Sequence, residues 1–262
     1  MKKVVITIVS LSIIILGCGG AKVTRFEETR ITSIAWAGDT LVAFSKNTIR
    51  GFIAGGVKRN PKRSIELWLA TVDPERGTVD TSYQIREIPE QLGRIEFFPG
   101  GDILLYAAEN GVWKVDLKNG EREEFFTHPA IKDFPLEIDV GPDELYTCIV
   151  VDAEGLPGTE GLLDLFMVET ETGILMFHSD SLVDQKSFAW TSEDCIVYIS
   201  PDPWRPGERK IMQFGVTDCI IRPSDMTEEE VRCNCPRASI SGSGLWLARD
   251  EGGELVVDYY KE

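Results

Sequence analysis

The chain has 262 residues, of which 43% are hydrophobic and 27% are charged, with 43 acidic against 27 basic side chains. This is the composition of a folded protein with a full core, and it excludes wholesale disorder and collagen-like structure. The formal net charge of −16 disfavours general binding to DNA or RNA, because phosphate contacts need a surplus of Lys and Arg.

The N-terminal residues have the pattern of a secretory signal peptide. Two lysines precede an apolar run over residues 4–16, which is too short to span a bilayer. The run ends in Ile15-Leu16-Gly17-Cys18, which resembles the bacterial lipobox, where the signal is removed before a cysteine that receives lipid. The resemblance implies a bacterial lipoprotein with a signal peptide over 1–17, a lipidated Cys18 and a tether over 18–22. Such a protein is extracytoplasmic and anchored to a membrane; an ordinary signal peptide or an uncleaved anchor is the alternative.

After the tether, short β-type runs alternate with turns that are rich in Gly, Pro and Asp, and the pattern repeats five times. The repeats begin at residues 33, 94, 136, 187 and 238. Each one predicts a first strand, a tight turn and an apolar second strand, and four continue into a third and a fourth strand. The shortest interval, from residue 94 to 136, is close to one four-stranded propeller blade, which takes about 40 to 50 residues.

The turns after the first strands carry the family resemblance. They are Trp36-Ala-Gly-Asp39, Phe98-Pro-Gly-Gly-Asp102 and Trp190-Thr-Ser-Glu-Asp194, which are degenerate versions of the W-S-P-D-G turn of TolB-like and WD40-type β-propellers. The resemblance implies an all-β propeller of four-stranded blades over residues 23–262, with five blades favoured and six as the runner-up. The last repeat lacks a fourth strand, so an orphan strand over 23–27 is expected to complete it and close the ring. A two-sheet β-sandwich is the alternative fold.

Two predicted loops between second and third strands, at residues 46–64 and 201–209, are long and basic. Insertions on one face of a repeat protein mark a binding surface, and a local reversal of charge in an acidic chain favours an anionic ligand or an acidic partner. We therefore expect an envelope protein or an anionic ligand on this loop face; a solvated basic surface that offsets neighbouring acids is the alternative. The candidate binding residues are Arg50, Lys58, Arg59, Lys62, Arg63, Trp204, Arg205 and Arg209.

Catalytic motifs are scarce in the sequence. It contains no Gly-x-Ser-x-Gly, no phosphate-binding loop and no His-Glu-x-x-His, so the prediction is a non-catalytic binding or scaffold module of the cell envelope with no cofactor. The enzymatic alternative is a carbohydrate-active propeller with Glu96, Glu137 and Asp139 on first strands as its catalytic carboxylates. Glu137 and Asp139 are two residues apart, so both side chains should point to the same face of their strand.

The cysteines other than Cys18 divide into two groups. Cys148 and Cys195 lie in apolar second strands and are expected to be small buried side chains. A disulfide from Cys219 to Cys233 or to Cys235 is predicted, because the expected compartment permits disulfides. No metal site is predicted, because the Cys-x-Cys pair has no second pair or nearby histidine to complete four ligands.

Overall fold

The computed structural model is almost entirely β and consists of antiparallel sheets. The predicted signal peptide, Cys18, the tether, Cys235 and the first strand of the last predicted repeat lie outside the residues that it describes. None of the helices in the described part has the length and apolar character needed to cross a membrane. The described residues are 23–85, 92–98, 100–141, 144–152, 162–184, 187–191, 195–202, 204–205, 207–216, 219–233 and 246–259.

Among these residues there are four sheets of four strands and one sheet of two, and in each the strands are neighbours in chain order. Sheet 1 consists of β1 (Val23–Ala37), β2 (Leu41–Ala54), β3 (Val57–Asp73) and β4 (Thr78–Ile85). Sheet 2 consists of β5 (Ile95–Phe97), β6 (Ile103–Ala108), β7 (Gly111–Asp116) and β8 (Arg122–Thr127). Sheet 3 consists of β9 (Glu137–Val140), β10 (Tyr146–Asp152), β11 (Leu163–Glu169) and β12 (Leu175–Leu182). Sheet 4 consists of β13 (Phe188–Thr191), β14 (Cys195–Pro201), β15 (Arg209–Gly215) and β16 (Ile220–Pro223), and sheet 5 of β17 (Trp246–Glu251) and β18 (Glu254–Tyr259). The predicted all-β fold of four-stranded units is confirmed at this level, whereas the number of blades stays a prediction.

The second strands of sheets 1, 2 and 3 are apolar at consecutive positions because each of these sheets packs against a neighbouring sheet on both faces. In β6, Leu104 and Tyr106 belong to the core cluster shared with sheet 1, whereas Leu105 and Ala107 belong to the cluster shared with sheet 3. All four side chains are almost fully buried. One strand therefore supplies alternate residues to two separate interfaces, which is why no hydrophilic face shows in its sequence.

The sheets pack in the order 5, 1, 2, 3, 4. Trp36 and Ala248 share a cluster between sheets 1 and 5, and Cys148 and Phe188 share one between sheets 3 and 4. The first strands of sheets 1, 2 and 3 lie side by side, with β1 against β5 and β5 against β9, and β1 also contacts β17 of sheet 5. We call β1, β5 and β9 the inner strands; their contacts bring polar side chains of β5 and β9 close together.

The far face of sheet 4 is covered by a short helix, α1 (Glu228–Cys233). Val231 of α1 is fully buried against Ala189, Val197 and Ile199 of that sheet. The helix begins with a capping box in which the Thr227 amide donates to the carboxylate of Glu230 over 2.7 Å and the Glu230 amide donates to Thr227 Oγ1 over 3.3 Å.

Two details of sheet 1 differ from the sequence predictions. Residues 23–27 are the beginning of β1 and pair with β2, with Glu27 opposite Arg50, so they are not an orphan strand and do not complete the last repeat. Residues 46–64 are not a loop: β2 and β3 run through them and turn at Gly55-Gly56, where both glycines have positive φ. We call residues 23–31, 46–54 and 57–65, which extend sheet 1 beyond its pairing with β4, the arm.

Candidate functional site

Three carboxylates meet at the inner strands of sheets 2 and 3. Glu96 lies on β5 between Ile95 and Phe97, which are both buried. Glu137 and Asp139 lie on β9 on either side of the buried Ile138, so both point away from the core cluster that Ile138 joins. All three carboxylates are half-buried. The two-residue period of the strand thus places Glu137 and Asp139 on one face, as the sequence predicts.

Arg94, the residue before β5, ties sheet 2 to sheet 3. Its Nε donates to the Leu136 carbonyl oxygen over 3.1 Å, and its Nη2 lies 3.3 Å from Glu137 Oε2. On the other side, the amide of Ile95 donates to Ser33 Oγ of β1 over 3.1 Å. These contacts fix β5 between its two neighbours, and they neutralise one of the three carboxylates.

Trp190 of β13 ties sheet 3 to sheet 4. Its indole Nε1–H donates to Asp139 Oδ2 over 2.5 Å. Its ring also lies against Gly141, where a Cβ would approach the indole to 3.1 Å. Sequence reasoning missed both Arg94 and Trp190 as site residues, because each acts across a sheet boundary that no local pattern in the sequence reveals.

The pKa values of all three carboxylates are raised, which favours protonation or the binding of a cation. Burial raises the pKa of Asp139 to about 7; the Trp190 hydrogen bond opposes this rise, and the charge of Glu137 adds to it. Burial and the charge of Asp139 hold the pKa of Glu96 well above its usual range. Burial also raises the pKa of Glu137, although Arg94 opposes the shift. The group as a whole therefore resists full ionisation until a cation reaches it.

A cavity of about 670 Å³ opens beside this group, at the turns that follow the inner strands. Glu96 lines it directly, and Trp36, Phe97 and Phe98 border it. The side chains of Trp36 and Phe97 are buried in the adjoining core clusters, and Phe98 is half-buried. Glu144 contributes a further carboxylate to the lining. We call this cavity with Glu96, Glu137 and Asp139 the central cleft. In the described part of the chain, no three His, Cys, Asp or Glu side chains are arranged to hold a metal ion.

The predicted basic residues occupy two separate places. Arg50, Lys58, Arg59, Lys62 and Arg63 lie on the arm, on β2 and β3 of sheet 1. Arg50 pairs with Glu27 at 3.0 Å, Lys58 pairs with Glu28 at 2.7 Å, and all four side chains are exposed.

Trp204, Arg205 and Arg209 lie between β14 and β15 of sheet 4 or at the start of β15. The Trp204 side chain is 84% exposed, and its amide donates to Asp202 Oδ1 over 2.9 Å. Arg205 pairs with Glu208 at 3.1 Å, and Arg209 pairs with Glu228 at the start of α1. Acids of the same sheet or the adjoining helix thus offset the charge of these arginines.

The structure shows the burial that the sequence predicts for two of the cysteines. Cys148 and Cys195 are buried within β10 and β14. Cys219 is exposed, with Sγ 3.6 Å from the Val216 carbonyl oxygen. The side chain of Cys233 and the whole of Cys235 lie outside the described residues, so the predicted disulfide stays a prediction.

The fold is shared with solved structures, whereas the comparisons with protein-family models and with curated proteins find no match. The chain is similar to an uncomplexed acylaminoacyl peptidase from Pyrococcus horikoshii, with a TM-score of 0.51 and 14% identity over 88% of this chain and 39% of that one. It is also similar to a putative dipeptidyl aminopeptidase IV from Bacteroides ovatus (TM-score 0.49, 13% identity, 83% of this chain and 36% of that one). A putative TolB from Agrobacterium tumefaciens matches with a TM-score of 0.36 and 11% identity over 90% of this chain and 99% of that one.

The likeness to the acylaminoacyl peptidase shows that this propeller-like arrangement of four-stranded sheets is shared with a solved structure, and it corrects the functional prediction. The expectation of a non-catalytic binding or scaffold module is wrong, because the solved structures that share the fold include an acylaminoacyl peptidase. This chain spans less than two-fifths of the length of either peptidase. The glycosidase alternative is not retained: Arg94 neutralises Glu137 and Trp190 engages Asp139, so these two do not form a free acid–base pair.

Proposed function

We propose that this chain is a peptidase-type β-propeller whose central cleft binds the positively charged amino terminus of a peptide. The observation that carries the proposal is the grouping of Glu96, Glu137 and Asp139 beside a cavity of about 670 Å³. The proposal concerns how the propeller selects its substrate, and it names no catalytic nucleophile.

The charges of the site favour the binding of a cation. Glu137 has Arg94 as its counterion, whereas Glu96 and Asp139 raise the cost of ionising one another. An ammonium group placed beside Glu96 would reduce that repulsion. The site is partly enclosed, and charge-assisted hydrogen bonds are strong where water is excluded. An organic cation suits the site better than a metal ion, since the described carboxylates are not arranged as a set of metal ligands.

The lining of the cleft favours a peptide as the source of that cation. Phe98, which borders the cavity and is half-buried, provides apolar surface against which the first side chain of a peptide would pack. The volume is within the range of small-ligand sites and accommodates two or three residues rather than a folded partner. The proposal also agrees with a fold that is shared with an acylaminoacyl peptidase.

The test is a calorimetric titration with two tripeptide amides, Gly-Gly-Phe-amide and its N-acetylated form. We expect the free amine to bind at least about tenfold more tightly, and Glu96→Gln to remove about that factor, which corresponds to about 1.4 kcal/mol. The affinity for the free amine should rise from pH 5.5 to pH 7.5, because Asp139 loses its proton near pH 7.

The control is Glu109→Gln, which removes the same charge from an exposed turn of sheet 2. It should leave both titrations unchanged. Equal binding of the acetylated and free peptides, or equal losses from Glu96→Gln and Glu109→Gln, would refute the proposal.

We also propose that the protein is held at a membrane through lipid on Cys18. The support is the lipobox at the end of an apolar run, and several acyl chains on one residue give stable anchoring. Metabolic labelling with an alkyne fatty acid should mark the wild type and leave Cys18→Ser unmarked. Labelling that persists in Cys18→Ser would show that the lipid is elsewhere.

A further inference from the structure

The arm has one face that is exposed along all three of its strands. Paired residues of an antiparallel sheet share a face, and so do residues two apart on a strand. Arg25, Phe52 and Arg59 lie opposite one another across β1, β2 and β3. Val23, Ala54 and Val57 form the next row on the same side, beside the Gly55-Gly56 turn.

This surface, which we call the arm face, combines apolar and cationic side chains. Phe52 is 40% exposed, Val23 48% and Val57 52%, and the Arg25 guanidinium lies over the Phe52 ring, 5.8 Å from its centroid. By the same pairing, Glu27, Arg50 and Lys62 form the third row of the arm face, and in that row Glu27 pairs with Arg50. Arg59 and Lys62 form no ion pair with any residue that the structure describes.

The charge of the arm is opposite to that of the molecule. The arm contains eight basic residues, whereas its acidic residues are Glu27 and Glu28, and both of those are already paired, with Arg50 and Lys58. The chain as a whole carries a formal charge of −16. An anionic surface would therefore attract the arm and repel most of the rest of the protein. This difference would orient the molecule with the arm toward that surface.

The arm is also the described part of the chain that follows the proposed lipid anchor most closely. Val23 lies opposite Ala54 beside the end of the arm, and it is five positions after Cys18 in the sequence. Five residues reach at most about 18 Å when fully extended. An acylated Cys18 would thus hold the end of the arm within that distance of the bilayer.

We propose that the arm face docks on an anionic lipid bilayer, with Phe52, Val57 and Val23 in the interfacial region and Arg25, Arg59 and Lys62 on lipid headgroups. This inference rests on the proposed anchor at Cys18 for its geometry. Aromatic and apolar side chains flanked by basic ones are the composition that binds membrane interfaces, and one anchor combined with a basic surface binds far more stably than either signal alone.

The experiment places a tryptophan reporter on the arm face. The acylated Phe52→Trp protein is reconstituted into vesicles of phosphatidylcholine with 30% phosphatidylglycerol that contain brominated lipids, and quenching beyond that of the wild type is measured. Ile221→Trp, at a position that is 50% exposed on sheet 4, is the matched control. We expect the added quenching to be at least threefold larger at residue 52 than at residue 221.

A charge-reversed version, Arg25→Glu, Arg59→Glu and Lys62→Glu in the Phe52→Trp background, should lose that extra quenching, as should vesicles of phosphatidylcholine alone. Equal quenching at the two reporter positions would overturn the proposal, and so would quenching that survives the charge reversal. If fatty-acid labelling shows no lipid on Cys18, the anchor has failed on its own. The unacylated chain added to the same vesicles then decides whether the arm face binds lipid.

Discussion

The central cleft and the arm each contain an Arg–Glu pair. The pKa of the glutamate is raised in the cleft and lowered on the arm, because the two pairs differ in burial. In the cleft, the side chains of Arg94 and Glu137 are 38% and 18% exposed, and burial raises the pKa of Glu137 despite the nearby guanidinium. On the arm, those of Arg50 and Glu27 are 61% and 56% exposed, and the hydrogen bond from Arg50 lowers the pKa of Glu27. The carboxylates of the cleft are therefore poorly solvated, and a nearby positive charge would stabilise their ionised form. The charges of the arm are already solvated by water.

The largest expected difference is in the free energy of unfolding lost when an aromatic side chain is removed from the core or from the arm. Phe166 is fully buried between sheets 2 and 3, where its ring stacks on His178 with centroids 4.4 Å apart and lies 5.6 Å from that of Phe126. Phe166→Ala should lower the free energy of unfolding by about 3 to 5 kcal/mol. Phe52→Ala on the arm should lower it by less than about 1 kcal/mol, because that ring is 40% exposed. Urea denaturation measures both, and equal losses would mean that the arm is part of the cooperative core.

The second difference is the dependence of stability on pH. Because burial raises the pKa of Asp139 to about 7 from an ordinary value of 3.8, the folded state holds its proton where the unfolded chain has released it. Asp139 therefore makes stability fall as pH rises from about 4 to about 7, by at most about 4 kcal/mol. Asp139→Asn should remove that fall and make the protein more stable at pH 8, since the amide oxygen still accepts the Trp190 hydrogen bond.

The matched control for this pH dependence is Asp80→Asn at an exposed position of β4. It removes the same charge without changing the cleft. Urea midpoints at pH 5 and pH 8 give the comparison for each variant. If Asp139→Asn and Asp80→Asn shift the pH 8 midpoint by the same amount, net charge rather than burial explains the effect.

The strands were predictable from the sequence because each repeat carries its own local signals. The second strand of the second repeat, for example, was expected over residues 103–107 and is observed as Ile103–Ala108. The arm was missed because Gly51, Gly55 and Gly56 among basic residues suggested a loop. Gly51 lies in a strand, where a Cβ would approach the Phe26 ring to 2.7 Å, and Gly55-Gly56 is a two-residue hairpin turn. The Gly-Gly pair between β-type residues was a usable hairpin signal.

The candidate site was predictable only in part, for a physical reason. Glu96, Glu137 and Asp139 could be assigned to inner strands, and the shared face of the latter two followed from the strand period. Their partners Arg94 and Trp190 come from other repeats, and the contacts depend on how neighbouring sheets pack. Side-chain packing between sheets produces no periodic pattern in the sequence. The raised pKa values and the cavity could therefore be recognised only in the structure.

The smallest expected difference is in the coupling free energy of the two Arg–Glu pairs, which double-mutant cycles measure. Arg94→Gln with Glu137→Gln should give a coupling free energy of about 1 to 2 kcal/mol, because the pair is half-buried and each single change leaves a partner without its counterion. Arg50→Gln with Glu27→Gln should give about 0.5 kcal/mol or less, since both side chains are mostly in water. Repeating the cycles in 1 M NaCl should abolish the arm coupling and leave most of the cleft coupling, because salt screens exposed charges far more than buried ones. Equal couplings, or equal losses in salt, would mean that burial does not distinguish the cleft from the arm, and the proposed preference of the cleft for a peptide amine would lose its electrostatic basis.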